Sequence, residues 1–158
     1  MHIRPFEPAD AEAVWAMLKP VFRASETYAI DPGISREAAL AYWTNARTYV
    51  AETEEGLVGT FYIRPNQHGG GNHVCNCGYI TRRGSEGQGI ARAMLTFSLE
   101  EAKALGFEAM QYNLVLATNT RAIETWLRAG FAEIGRIPRA FRLRDGAYTD
   151  ALILHKFL

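Results

Sequence analysis

Apolar residues along this chain recur with two periods, and the switches between them divide it into elements. His2 to Phe6 reads as a short strand ended by Pro5 and Pro8. Val14, Met17, Leu18 and Val21 then fall on one face of a predicted helix from Ala11 to about Phe22, with Asp10 as its N-cap. Arg23 to Gly33 is polar and irregular, and Ser35 opens a second helix carrying Leu40, Tyr42 and Trp43. Strands are predicted at Thr48 to Thr53 and Leu57 to Arg64, flanking the hairpin loop Glu54-Glu55-Gly56. Pro65 to Gly71 reads as a loop, and Asn72 to Thr81 as a third strand of this group.

The stretch from Gly78 to Gly106 organises the rest. Tyr79, Ile80 and Thr81 favour a strand, and Gly84, Ser85 and Gly87 break it. From Gly89 the helical period returns through Ile90, Met94 and Phe97, until Gly106 stops it. Glu108 to Leu116 is apolar enough for a buried strand. Asn119 caps a short helix holding Ala122, Ile123, Trp126 and Leu127, closed by Gly130. Phe131 to Ile137 and Thr149 to Phe157 are the last strands. The order is strand, two helices, three strands, helix, strand, helix, two strands: an α/β (α+β) chain with a mixed sheet.

A strand, a glycine-rich turn and a helix make a candidate anion site. The helix N-terminus leaves N–H groups unpaired, and glycines let an anion approach them. A plain chain reversal explains the turn equally well. No Lys-Ser/Thr follows as in a P-loop, and the third glycine of a dinucleotide fingerprint is missing, which argues against a nucleoside triphosphate or NAD.

Composition narrows the field. The 158 residues suit one domain spanning 1–158, with 48% hydrophobic residues. Seventeen basic residues balance seventeen acidic ones, so no net field favours nucleic acid or an anionic membrane as partner. No apolar run approaches the roughly 18 residues of a membrane span, and Met1-His2-Ile3-Arg4-Pro5 lacks a signal-peptide core. Two cysteines make no disulfide framework, and a cytoplasmic location is expected. His73, Cys75 and Cys77 share one face of their strand. With only His68 near them, buried small hydrophobes account for the thiols better than a metal site does.

Two spaced motifs carry a resemblance. Glu86-Gly87-Gln88-Gly89-Ile90-Ala91 is similar to the cofactor signature of the GNAT N-acetyltransferases, and Asn119, Ala122, Trp126, Gly130 and Phe131 follow their second block. The element order agrees over nearly the whole chain. The resemblance implies a mostly antiparallel seven-stranded sheet with about four helices. It also implies acetyl-CoA as co-substrate and a small-molecule amine as acceptor, attacked directly in a ternary complex, with no metal. A homodimer is admitted as an assembly.

Carried over by position, the resemblance implies that Tyr79, Ile80 and Thr81 offer backbone groups to the pantetheine arm, the Tyr79 N–H also serving as oxyanion donor. Gly87, Gln88, Gly89, Ile90, Ala91 and Arg92 would cradle the pyrophosphate, and Asn119 would bond the pantetheine. Glu86 stands where Arg or Gln is usual, and is expected to turn outward toward Arg82 or Arg83. Trp126 stands where relatives carry a tyrosine acid; an indole does not ionise usefully, so it is expected to wall the cofactor channel.

Asn76 and Asn113 lie on the two strands that the family splays apart. Each is either a structural hydrogen-bonder or a substrate contact. Residues 113–138 also resemble the yeast acetyltransferases of azetidine-2-carboxylate, favouring a small amino- or imino-acid acceptor. Neither splayed strand carries a well-placed arginine, so the amides are expected to receive the carboxylate, with Tyr28 as a further acceptor contact. The competing reading is an acyl-CoA-binding sensor or scaffold without turnover.

Overall fold

The computed structural model describes residues 1–158. Seven strands form one sheet: β1 (His2–Pro5), β2 (Arg47–Thr53), β3 (Gly56–Pro65), β4 (Val74–Thr81), β5 (Ala109–Leu116), β6 (Ala132–Arg142) and β7 (Tyr148–Phe157). Their order across the sheet is β1-β2-β3-β4-β5-β7-β6, and only β4 and β5 run parallel. Four helices pack against it: α1 (Ala11–Ala24), α2 (Arg36–Thr44), α3 (Ile90–Ala104) and α4 (Thr120–Arg128). The mixed, mostly antiparallel sheet and the element order agree with the sequence reading. No helix is long and apolar enough to cross a membrane.

Strand alternation supplies a core on each face. Val50, Tyr62 and Ile80 meet Val14, Leu18 and Phe22 of α1 and Trp43 of α2 on one face. Phe61, Cys75, Cys77, Met110 and Leu154 meet Ile90, Met94 and Leu95 of α3 on the other. Both cysteines are therefore packed beneath α3, while His68 and His73 are exposed.

Three local expectations change. Asp10 does not cap α1, because its own backbone is helical and its side chain bonds the Glu7 N–H at 2.9 Å. The carboxylate also takes two hydrogen bonds from Arg4, at 2.8 and 2.9 Å, which tie β1 to the start of α1. β6 runs past Ile137 to Arg142: Pro138 falls in a bulge, Arg139 takes a φ of 50°, and the strand resumes against β7. Asp150 holds that bulge by accepting the Arg139 N–H at 2.9 Å. β4 starts at Val74, two residues later than expected, after a 3-10 turn at Gly69–Gly71.

Arg4 holds the Asp10 carboxyl below the usual range. That stabilisation is present above about pH 4 and is lost as pH falls through the lower folded-state value. Asp10→Asn should cost about 1–2 kcal/mol at pH 7, and its deficit against wild type should vanish in acid. Urea melts of both proteins across pH 2–7 read the difference directly.

Candidate active site

Two parallel strands that part company create the site. β4 and β5 pair only at Val74–Ala109 and Cys75–Met110, after which the ladder stops. Asn76 is wedged at the fork: its Nδ2 donates to the Gln111 carbonyl at 2.9 Å, and its Oδ1 accepts from the Tyr62 hydroxyl at 3.3 Å. A cavity of about 850 Å³ opens from the fork, large enough for a cofactor arm and a small acceptor.

The antiparallel ladder decides which main-chain groups face this cavity. Arg82 N–H bonds the Val58 carbonyl, and Asn66 N–H bonds the Val74 carbonyl, so even-numbered residues of β4 bond β3. Cys77, Tyr79 and Thr81 therefore turn their N–H and C=O groups toward the gap. Ile80 is corrected on this point: it lines the cavity, but its backbone groups belong to the β3 ladder and its side chain to the core.

At the other end lies the turn into α3. Gly87 and Gly89 have φ of 82° and 77°, a region that side chains rarely adopt, and a Cβ at either would meet only open space. The N–H groups from Gly87 through Arg92 have no acceptor in the protein; the first to bond is Ala93, to the Gly89 carbonyl at 3.0 Å. Six consecutive free donors at a helix N-terminus fit a diphosphate. Gly87, Gly89, Ile90, Ala91 and Arg92 line the cavity, whereas Gln88 is exposed and joins only through its N–H. Arg121, at the start of α4, adds a cation that the linear pattern did not single out.

Glu86 is exposed at this end and makes no ion pair with Arg82 or Arg83; Arg82 pairs with Glu55 at 3.0 Å. Its carboxylate is held low by its own N–H and that of Gly84, which donates at 3.1 Å. A self-contained turn thus accommodates the carboxylate beside the anion site.

Asn119 lines the cavity and caps α4, its Oδ1 accepting from Ala122 N–H at 3.4 Å while its Nδ2 makes no bond within the protein. Trp126 packs its ring 5.2 Å from that of Tyr79 and 5.0 Å from that of Tyr112. It walls the cavity and makes no hydrogen bond. Behind it, the Tyr79 hydroxyl lies 2.7 Å from Ser98 Oγ and 3.1 Å from the Tyr112 hydroxyl. Burial pushes both phenols well above their ordinary range.

The end of the cavity at the fork gathers residues from three strands and two connections. The Tyr28 hydroxyl, on the α1–α2 connection, donates to the Tyr79 carbonyl at 2.9 Å. Asn113 donates to Asn66 Oδ1 at 2.6 Å and accepts from Gln111 Nε2 at 3.0 Å. Both asparagines are thus engaged with protein partners. Arg64 of β3 also lines this end, directly opposite Asn76 in register. Neither β4 nor β5 supplies this arginine; the register of β3 brings it to the fork.

The model of the acetyltransferase (GNAT) family matches residues 12–131. The chain belongs to that family. N-acetyltransferase aca1 of Schizosaccharomyces pombe (strain 972 / ATCC 24843) is 39% identical over 98 residues, 61% of this chain and 47% of that protein, so the chain matches about half of that relative. A GCN5-related N-acetyltransferase from Kribbella flavida is 32% identical with a TM-score of 0.94, covering 99% of this chain and 97% of that one. The fold is shared with yncA, a putative acetyltransferase from Salmonella typhimurium solved with its cofactor acetyl-CoA. That pair has a TM-score of 0.88 at 18% identity, over 100% of this chain and 94% of that one.

The turn makes a sharp prediction. Gly89→Asp adds a negative charge and a side chain where φ is 77°, and calorimetry should detect no CoA binding. Gln88→Ala should bind CoA near wild type, since only its backbone faces the anion.

Proposed function

We propose that this protein transfers the acetyl group of acetyl-CoA to the amine of a small amino or imino acid, by direct attack in a ternary complex. The observation that carries the reading is the row of free donors from Gly87 to Arg92, opening into the same cavity as the unpaired edge of β4. Acetyl-CoA supplies an activated thioester. The resemblance of residues 113–138 to the azetidine-2-carboxylate enzymes supports the acceptor class. Cytoplasmic localisation and a homodimer belong to the same reading.

Each contributing group follows from the ladder and the turn. N–H groups at the start of α3 hold the diphosphate, with Arg92 and Arg121 adding charge. The free Nδ2 of Asn119 and the outward groups of Tyr79 and Thr81 line the pantetheine arm. The Tyr79 N–H is oriented to donate to the acyl oxygen as charge builds there. The Tyr28 hydroxyl holds the adjacent carbonyl, which steadies that peptide. Trp126 shields the channel from water and transfers no proton. A thiolate leaving group has a conjugate-acid pKa around 8.5, so departure does not require an acid.

No histidine lines the cavity, and its one carboxylate, Glu86, is at the anion end. Burial keeps Tyr28, Tyr79 and Tyr112 protonated well above their ordinary range. The reacting amine must be neutral, so its own ionisation sets the profile. The value of kcat/KM should rise about tenfold per pH unit from 6 upward and level near the acceptor's amine pKa. A bell with an acidic limb near 6–7 would point to a protein base instead. Trp126→Phe should keep most of kcat, whereas a loss of about a hundredfold would assign it proton transfer. The test of the whole reading is acetyl-CoA-dependent thiol release over an amine panel. CoA binding without any release would favour a sensor.

A further inference from the structure

We propose that Arg64 anchors the acceptor's carboxylate and so selects amino and imino acids against amines lacking an acid group. This inference rests on the transferase reading and names the residue that sets its substrate class. Arg64 stands at the fork, paired across the ladder with Asn76. Its guanidinium lies 4.0 Å from the Tyr62 ring centroid and 4.8 Å from that of Tyr42, and one N–H donates to the Tyr42 hydroxyl at 2.9 Å. Guanidinium carries five N–H donors; the two tyrosine hydroxyls beside it are its only acceptors, and no carboxylate takes any of the rest.

Five of the fourteen arginines are in ion pairs and nine, Arg64 among them, are not. Arg4, Arg36, Arg82, Arg128 and Arg136 each pair with an aspartate or glutamate. Arg64 is half-buried in the cavity wall and pairs with none. Ring faces fix such a cation in place without neutralising it. The support is itself built in: a Cβ at Gly78 would lie 2.7 Å from the Tyr62 ring, so only glycine there lets the ring rest against β4 beneath the guanidinium.

Charge around the fork points the same way. The amides of Asn66, Asn76 and Asn113 are neutral and already bonded to one another or to neighbours. The acceptor end therefore holds a cation with free donors and no anion. A carboxylate would complete a two-pronged pair with it, while a polyamine or a lysine-rich segment would be repelled. Asn76 precedes Tyr79 by three residues, about 10 Å along the strand. A compact amino acid spans that interval once hydrogen bonds at both ends are counted.

The test compares α-amino and imino acids with their carboxamides, using wild type, Arg64→Gln and Arg64→Lys. Wild type should prefer the acids. Arg64→Gln should lower kcat/KM for acids about ten- to a hundredfold, mainly through KM, and close the gap between acid and amide. Arg64→Lys should recover part of it, since a point charge replaces the fork of donors. Calorimetric titration of the CoA complex with the same acids and amides reads the carboxylate contact without turnover. Acid binding that depends on Arg64 without turnover of any amine would sink the transferase reading and uphold this one. Equal losses for acids and amides in Arg64→Gln, or a wild type indifferent to the carboxylate, would overturn the assignment of Arg64 while leaving acetyl transfer intact.

Discussion

A parallel strand pair that stops bonding after two residue pairs leaves a row of main-chain donors and acceptors without partners. Buried and unmet, each such group costs about 1–3 kcal/mol, so the gap must be closed, wetted or filled. Here it is propped open. Asn76 spends its amide on the Gln111 carbonyl at the apex, and the β5 register shifts between Tyr112 and Val115, beside the opening. The Tyr28 hydroxyl and the Trp126 ring then cover parts of what is exposed. Everything the site offers, from the outward Tyr79 N–H to the cavity itself, depends on that interrupted ladder.

The two ends of the opening are electrostatically different. At the α3 turn, free N–H groups and two arginines gather positive potential from dipoles and charges without a buried counter-ion. At the acceptor end, a single guanidinium rests on aromatic faces amid neutral amides. Between them lie a tryptophan wall and protonated phenols, which contribute shape and hydrogen bonds but no charge. The enzyme's contribution to chemistry is then mostly orientation and a donor aimed at developing charge. The acceptor has to bring its own reactive amine.

Most of the architecture was legible because its signals are local. The period switches, Ser35, Gly89, Gly106 and Asn119 mark element ends through backbone geometry that each residue dictates for itself. One cap and one strand end were misread where a tertiary partner overruled the local signal: Asp10 stands before α1 as expected but gives its side chain to Arg4 and the Glu7 N–H, and Pro138 sits in a bulge held by Asp150. The anion turn was legible for the same local reason, and the family resemblance placed the splay. The acceptor end was not, since it depends on which residue of β3 stands opposite Asn76. Register is a pairwise property, invisible in a linear pattern. Arg64 read simply as the end of a strand, and Ile80 could not be told from Tyr79 until the ladder showed which way each peptide faces.

The bond from Tyr28 to the Tyr79 carbonyl spans 51 residues of sequence and joins a connection to the edge of the cofactor gap. A neutral hydrogen bond of this kind is worth about 1 kcal/mol net, enough to bias a segment but too little to lock it. The Tyr28 ring also packs edge-on against Phe22 and Trp43, so the α1–α2 connection is fastened to the sheet at two points, one polar and one aromatic.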